Sequence, residues 1–269
     1  MKTRLIILTF LLSASIAIST NAEDLFEYSN DDAIPEVVVD DSIRNAYEES
    51  YLVKLVENSK TADELLKKQR EDELKQAEES KEENLLKNKS YKNYKDALQE
   101  NDETIGWIRI NGLSVDYPIM YSGDDKYLTI NFEQEEDANG AIYLDKNSNG
   151  TWGNVNLIHG HNMKSGKMFG MLDEYKDQDF AKEHDNIEIA SSEGVKQYKV
   201  FSVIVADSDT EEVQYSFSKE EDFYKYVDKL YERSVVELQE PDDYSDVIIL
   251  STCSYQFNNA HTLVCAYNR

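Results

Sequence analysis

A succession of short apolar runs, separated by turn residues from about residue 91 onward, most constrains how this chain can fold. The runs are rich in β-branched and aromatic residues and have the length of strands rather than of helices. Amphipathic patterns at 167–175 and 219–233 predict two interrupting helices. Many short strands in one domain of about 180 residues predict a mainly β fold, closed as a barrel or stacked as a sandwich. The predicted strands are 107–110, 140–144, 154–158, 186–189, 198–205, 247–250 and 262–267.

The residues before this domain have a different character. Ile43, Tyr47, Tyr51 and Leu55 recur every four residues, as on one face of a helix. Farther along, apolar residues thin out and Glu and Lys are found four apart, a spacing that supports exposed helices. Residues 42–90 are therefore predicted to form a charged helical spacer, with a partner-binding helix as the alternative. The acidic stretch 23–41 is predicted to be a linker.

The N-terminus has the pattern of an export signal. Lys2 and Arg4 precede an apolar stretch at 5–18, and small residues lead up to Ala22. The apolar stretch is shorter than the roughly 20 residues that span a membrane. Residues 1–22 are therefore predicted to be a signal peptide, with a retained membrane anchor as the alternative. Either way, the rest of the chain is expected to be extracytoplasmic, at the cell surface or secreted.

The net charge of the chain limits the classes of partner that it can bind. Asp and Glu outnumber Lys and Arg 54 to 28, which gives a net charge of −26. A surface this acidic would be repelled by a phosphate backbone, so we expect no nucleic-acid partner.

One predicted strand ends at a cysteine. The apolar run that begins at Val247 leads to Cys253, where a rigid sheet meets a polar loop. Such a place suits a nucleophile, because the scaffold fixes the sulfur while the loop leaves it approachable. Three alternatives stay open: an inert core cysteine, a disulfide with Cys265, and a zinc site formed with His159, His161 and His261.

Three segments carry a resemblance to a known family. Residues 250–253, Leu-Ser-Thr-Cys, resemble the active-site strand of sortases, the cysteine transpeptidases of Gram-positive bacteria. Residues 157–163 and 166–169 resemble the histidine segment of class B sortases. Residues 103–112 and 115–119 resemble the first strands of that class. The resemblance covers residues 91–269 and implies a closed sortase-type β-barrel with a few helices, preceded by the N-terminal helical segment.

The resemblance also implies a reaction. Cys253 would attack a threonine carbonyl in a C-terminal sorting motif, and the acyl group would pass to a cell-wall or pilin amine. His161 would be the acid and base, Ser251 and Thr252 would line the substrate groove, and no cofactor or metal is implied. The family pattern has an arginine eight residues after the cysteine, where this chain has His261. Two alternatives follow: a sortase-fold binding or assembly protein with little activity, and a peptidase that releases its acyl group to water.

Overall fold

The computed structural model describes residues 41–268. The predicted signal peptide or anchor at 1–22 lies outside the described residues, as does almost all of the predicted linker at 23–41. The chain divides into two compact units, one up to Arg70 and one from Glu71.

The first described element is a long helix, α1 (Asp41–Leu85). From residue 63 to residue 84 every side chain along it is exposed. Its i,i+4 ion pair between Lys75 and Glu79, at 3.9 Å, is exposed on both sides, and such pairs add little stability. Within residues 41–268 no helix is both long enough and apolar enough to cross a membrane.

A second helix, α2 (Lys89–Glu100), packs on the barrel. It begins at Asn88, whose side chain accepts a hydrogen bond from the Tyr91 backbone at 2.9 Å and so satisfies one free N–H of the first turn. Its buried face carries Tyr91 and Tyr94, which pack with Ala190 of the barrel.

Eight strands form a closed barrel, in the order β1-β2-β3-β4-β7-β8-β6-β5. The prediction of a mainly β fold with a closed barrel and few helices is confirmed. Most neighbours are antiparallel, but β2–β3 and β4–β7 are parallel. The strands are β1 (Thr104–Ile110), β2 (Asp116–Met120), β3 (Ile142–Leu144), β4 (Val155–His159), β5 (Asn186–Ser191), β6 (Gly194–Asp207), β7 (Asp246–Cys253) and β8 (Ala260–Asn268).

Alternation along β7 divides the core into two layers. Ile248 and Leu250 belong to the barrel interior, while Val247 and Ile249 belong to an outer cluster. The outer cluster is covered by α4 (Glu220–Glu232), the helix predicted at 219–233. Because side chains alternate with a period of two, Ser251 and Cys253 lie on this outer face.

The prediction of a helix at 167–175 is wrong. The chain there is a tight turn, followed by a 3-10 turn at Leu172–Lys176 and a short helix, α3 (Gln178–Glu183). Met168 has a positive φ of 50°, and a Cβ at Gly170 would lie 2.2 Å from the Met163 carbonyl oxygen. The backbone therefore folds back on itself too closely for a helix, although the apolar spacing is helical.

Candidate active site

The site forms where two parallel strands end side by side. β4 ends at His159 and β7 ends at Cys253, and His159 is the register partner of Ser251. The hydrogen bonding between these two strands continues past the end of β4, since the Gly160 N–H donates to the Ser251 carbonyl at 3.1 Å. Parallel pairing thus brings the histidine segment and the cysteine strand to the same edge of the barrel.

Cys253 is exposed, and both cysteines are free. It therefore has the accessibility that a nucleophile needs. Cys265 is fully buried, its register partner is Ile249, and burial raises the pKa of its thiol. The structure therefore contains no Cys253–Cys265 disulfide, and Cys265 is a core residue.

His261 is the imidazole that lies beside the sulfur. Cys253 and His261 are register partners across the β7–β8 pair, and their Sγ and Nε2 atoms are 3.8 Å apart. Burial lowers the pKa of His261, and the nearby His159 lowers it further. The lowered pKa favours the neutral imidazole near pH 7, whereas an arginine is a permanent cation.

The two predicted groove residues have partners of their own. Ser251 is 3% exposed, and its Oγ lies 3.1 Å from Nδ1 of His261. Thr252, 1% exposed, donates its hydroxyl to the Gly160 carbonyl at 2.9 Å. Ser251 thus orients the imidazole beside the nucleophile, whereas the Thr252 side chain ties β7 to the histidine segment.

His161 lies on the segment bonded to β7, but its ring has a different partner. Nε2 of His161 is 2.7 Å from the Leu128 carbonyl. The next residue, Asn162, donates to the Cys253 carbonyl at 2.7 Å. Because a carbonyl oxygen only accepts, His161 presents Nε2–H to Leu128 and keeps Nδ1 for another partner. In the described residues the structure thus joins His261, and not His161, to the sulfur by a hydrogen-bond contact.

A second histidine network borders the site. Nε2 of His159 is 2.8 Å from Asp145, which also accepts from the Tyr215 hydroxyl at 2.7 Å. Burial favours the protonated form of Asp145, but hydrogen bonds from His159, Tyr215 and the Asn147 backbone more than offset it, so the pKa of Asp145 lies well below its usual range. The His159 ring also packs on Tyr143, with centroids 5.1 Å apart.

The sequence analysis named His159 only as a possible zinc ligand, and it did not identify Asp145 or Tyr215 as neighbours of the site. Asp145 directly follows β3, and an acidic residue at a strand end is a weak signal. Tyr215 lies 70 residues farther along the chain, so nothing local predicts their contact. The zinc alternative finds no support among residues 41–268, where no three His, Cys, Asp or Glu side chains are grouped to hold a metal ion.

Comparison with known proteins identifies the family of this chain. The family model of the Sortase domain matches residues 108–268. Sortase B of Listeria monocytogenes is 33% identical over 162 residues, which cover 59% of this chain and 66% of that protein. Sortase B of Staphylococcus aureus is 28% identical over 156 residues, which cover 57% and 64%. The chain thus spans slightly less than two thirds of each of these relatives.

A solved structure shares the barrel. Clostridium perfringens sortase B superposes with a TM-score of 0.61 at 26% identity, covering 65% of this chain and 98% of that one. The family match extends over more than half of the chain and includes Cys253 and both candidate histidines. This chain therefore belongs to the sortase family, and its relatives identify it as a class B sortase.

Proposed function

We propose that this protein is a cysteine transpeptidase that cleaves a C-terminal sorting motif and joins the acyl product to an amine. The observation that carries the proposal is the exposed Cys253 thiol, whose Sγ lies 3.8 Å from Nε2 of His261 in a sortase barrel. Acyl transfer through a thioester needs a thiolate nucleophile and an adjacent base.

The proposed first step is acylation. Nε2 of His261 takes the proton of Cys253, and the sulfur attacks the carbonyl carbon of a threonine in the motif. The C–N bond breaks, and the leaving amine takes a proton from His161. Deprotonation of Cys253 makes His261 cationic, so positive charge arises where the family pattern has arginine and at the moment when an oxyanion forms.

The proposed second step is transfer. An acceptor amine attacks the thioester carbonyl and gives up a proton to His161. The C–S bond breaks, and the sulfur takes back the proton held by His261, which restores the Cys253 thiol. The family resemblance supports a cell-wall precursor or a pilin as the acceptor. The N-terminal pattern at 1–22 supports a location outside the cytoplasm, at the cell surface or secreted.

The test is turnover of a panel of sorting peptides by wild type, His161→Ala, His261→Ala and His261→Arg, with Cys253→Ala as the blank. We expect wild-type turnover above the blank and a loss of at least about tenfold in each alanine variant, as for removal of a general acid or base. Mass spectrometry of the wild type should detect a peptide thioester on Cys253.

The same assay distinguishes the alternatives. Turnover only in His261→Arg would contradict the transpeptidase proposal and favour a binding or assembly protein, an alternative that rests on His261 at the position where the family pattern has arginine. Products formed equally with and without an added amine would indicate a peptidase. A thioester that forms but is released only on addition of an amine would support transfer.

A further inference from the structure

The hairpin that carries Cys253 and His261 ends in an exposed loop. Residues 255–259 between β7 and β8 are all exposed, and Tyr255 is 73% exposed. Cys253 is the last residue of β7, and His261 is the second residue of β8. Strand ends beside such a loop fray readily. The separation of sulfur and imidazole therefore depends on whatever holds the two strands at this end.

Two hydroxyl groups next to the reacting pair converge on one carboxylate. Ser254, directly after Cys253, donates to Oδ1 of Asp173 at 3.0 Å. Thr262, directly after His261, donates to the same oxygen at 2.7 Å. Ser254 and Thr262 are 6% and 0% exposed, so these hydrogen bonds are shielded from water.

Asp173 is itself firmly placed. It lies in the 3-10 turn at Leu172–Lys176, whose Leu172 and Tyr175 are fully buried in the main core. Lys176 contacts the carboxylate at 2.5 Å. Burial favours the protonated form of Asp173, but the contacts with Lys176, Thr262 and Ser254 outweigh it and lower its pKa. The carboxylate is therefore a charged acceptor on a rigid base.

The same turn follows the segment that carries His161. The Phe169 N–H donates to the His161 carbonyl at 3.0 Å, and the Leu172 N–H donates to the Phe169 carbonyl at 3.0 Å. The Asp173 carboxylate thus connects the residue after Cys253 and the residue after His261 to a turn whose backbone is hydrogen-bonded to the segment bearing His161.

We infer that Asp173 is a positioning residue, which sets the distance between the Cys253 sulfur and the His261 imidazole by holding Ser254 and Thr262. This inference deepens the proposed function. Its effect on the reactivity of Cys253 passes through the geometry of the Cys253–His261 pair. Removing Asp173 should therefore slow the reaction of Cys253 only while His261 is present.

The experiment is a double-mutant cycle in the full chain, with the alkylation rate of Cys253 by iodoacetamide as the readout at pH 7. The exposed Cys253 reacts, Cys265 is fully buried, and Cys253→Ala supplies the blank. Displacing the pair by about 1 Å should slow the reaction by at least about tenfold in Asp173→Ala. The double variant Asp173→Ala/His261→Ala should be no slower than His261→Ala alone.

Milder variants distinguish positioning from general damage to the fold. Asp173→Asn keeps an oxygen acceptor for both hydroxyls and should recover most of the rate. Thr262→Val removes one hydrogen bond at nearly constant side-chain volume, which should slow the alkylation of Cys253 about fivefold. Asp177→Ala is the matched control. This carboxylate, four residues away, caps α3 by accepting hydrogen bonds from the Asp179 and Phe180 backbone N–H groups, so its loss should lower the melting temperature without changing alkylation.

Several results would overturn the inference. These are an unchanged rate in Asp173→Ala, a slowing that persists in the His261→Ala background, or an Asp173→Asn rate as low as that of Asp173→Ala. Alkylation does not require a sorting peptide. A cycle that behaves as expected without peptide turnover would therefore support the positioning role while refuting the proposed function. Where turnover is present, Asp173→Ala should lower kcat with little change in KM.

Discussion

Position 261 shows how one side chain changes the chemistry available to a site. An arginine stays charged at every physiological pH, whereas a buried histidine is neutral until it receives a proton. The structure gives His261 three neighbours that matter: Cys253 on one ring nitrogen, Ser251 on the other, and His159 nearby. A neutral ring held in this way is suited to accept a proton from the thiol, which an arginine cannot do.

The influence of His159 on this ring leads to a prediction. Burial is the larger cause of the lowered His261 pKa, and His159 is the second. His159→Gln removes the second cause while its amide can still donate to Asp145, so the pKa of His261 should rise toward the ordinary value of about 6.5. Activity that depends on neutral His261 is lost as pH falls through that pKa. The acid limb of kcat/KM should therefore move to higher pH.

The measurement is kcat/KM for a sorting peptide between about pH 5 and pH 8, the range in which histidine titrates. His184→Gln is the matched control, because its ring contacts the Asn111 carbonyl and lies against Gly112 instead of the site. An acid limb that stays in place, or that moves to lower pH, would show that His159 does not tune His261.

At the scale of elements, the parallel β4–β7 pair positions the site. β4 ends at His159, but hydrogen bonds from Gly160 and Asn162 carry the contact past the end of the strand to Cys253. At Gly160 this connection leaves no room for a side chain. A Cβ there would lie 2.4 Å from Cδ1 of Ile142 and 2.7 Å from the ring of Phe169, both of which are buried.

Gly160→Ala should therefore be destabilising. Forcing a methyl group into a filled core costs about 1–3 kcal/mol, which corresponds to several degrees in the melting temperature of a domain this size. Because Phe169 also holds the His161 backbone, we expect turnover to fall as well. Thermal unfolding followed by circular dichroism provides the measurement.

Gly153→Ala is the control for this substitution, because an added Cβ at Gly153 meets nothing within 4 Å and its φ is not positive. It should leave the melting temperature and turnover close to those of wild type. Equal melting temperatures for the two variants would refute the close packing at Gly160.

At the scale of the whole molecule, charge is the dominant feature. A net charge of −26 means that carboxylates repel one another across the surface, and this repulsion opposes compaction. Ion pairs offset little of it, because pairs such as Lys75–Glu79 and Lys225–Glu221 are exposed.

Salt should therefore stabilise the protein. At pH 7.5 the melting temperature should rise between about 10 mM and 300 mM NaCl, because added ions shorten the screening length to below about 10 Å. The control is the same titration near the isoelectric point of about 4.4, where little net charge remains to be screened. A salt effect as large there as at pH 7.5 would show that repulsion is not its cause.

Much of this protein could be predicted from local patterns. Strand-length apolar runs predicted a mainly β domain, and the run leading to Cys253 predicted a thiol at a strand end. Both predictions depend on residues that are neighbours in the sequence: the apolar residues of a strand and the polar residues that end it. The same local reasoning failed at 167–175, where close backbone approaches outweighed a helical spacing.

The tertiary structure alone decided which groups meet. The register of β7 against β8 places His261, and not the family-aligned His161, in contact with the sulfur. Asp173 reaches Thr262 across 89 residues, and Tyr215 reaches Asp145 across 70. A residue's chemistry and its place on a strand are set by its neighbours in the chain, but its partners are set by strand pairing and packing between distant segments, which no local pattern encodes.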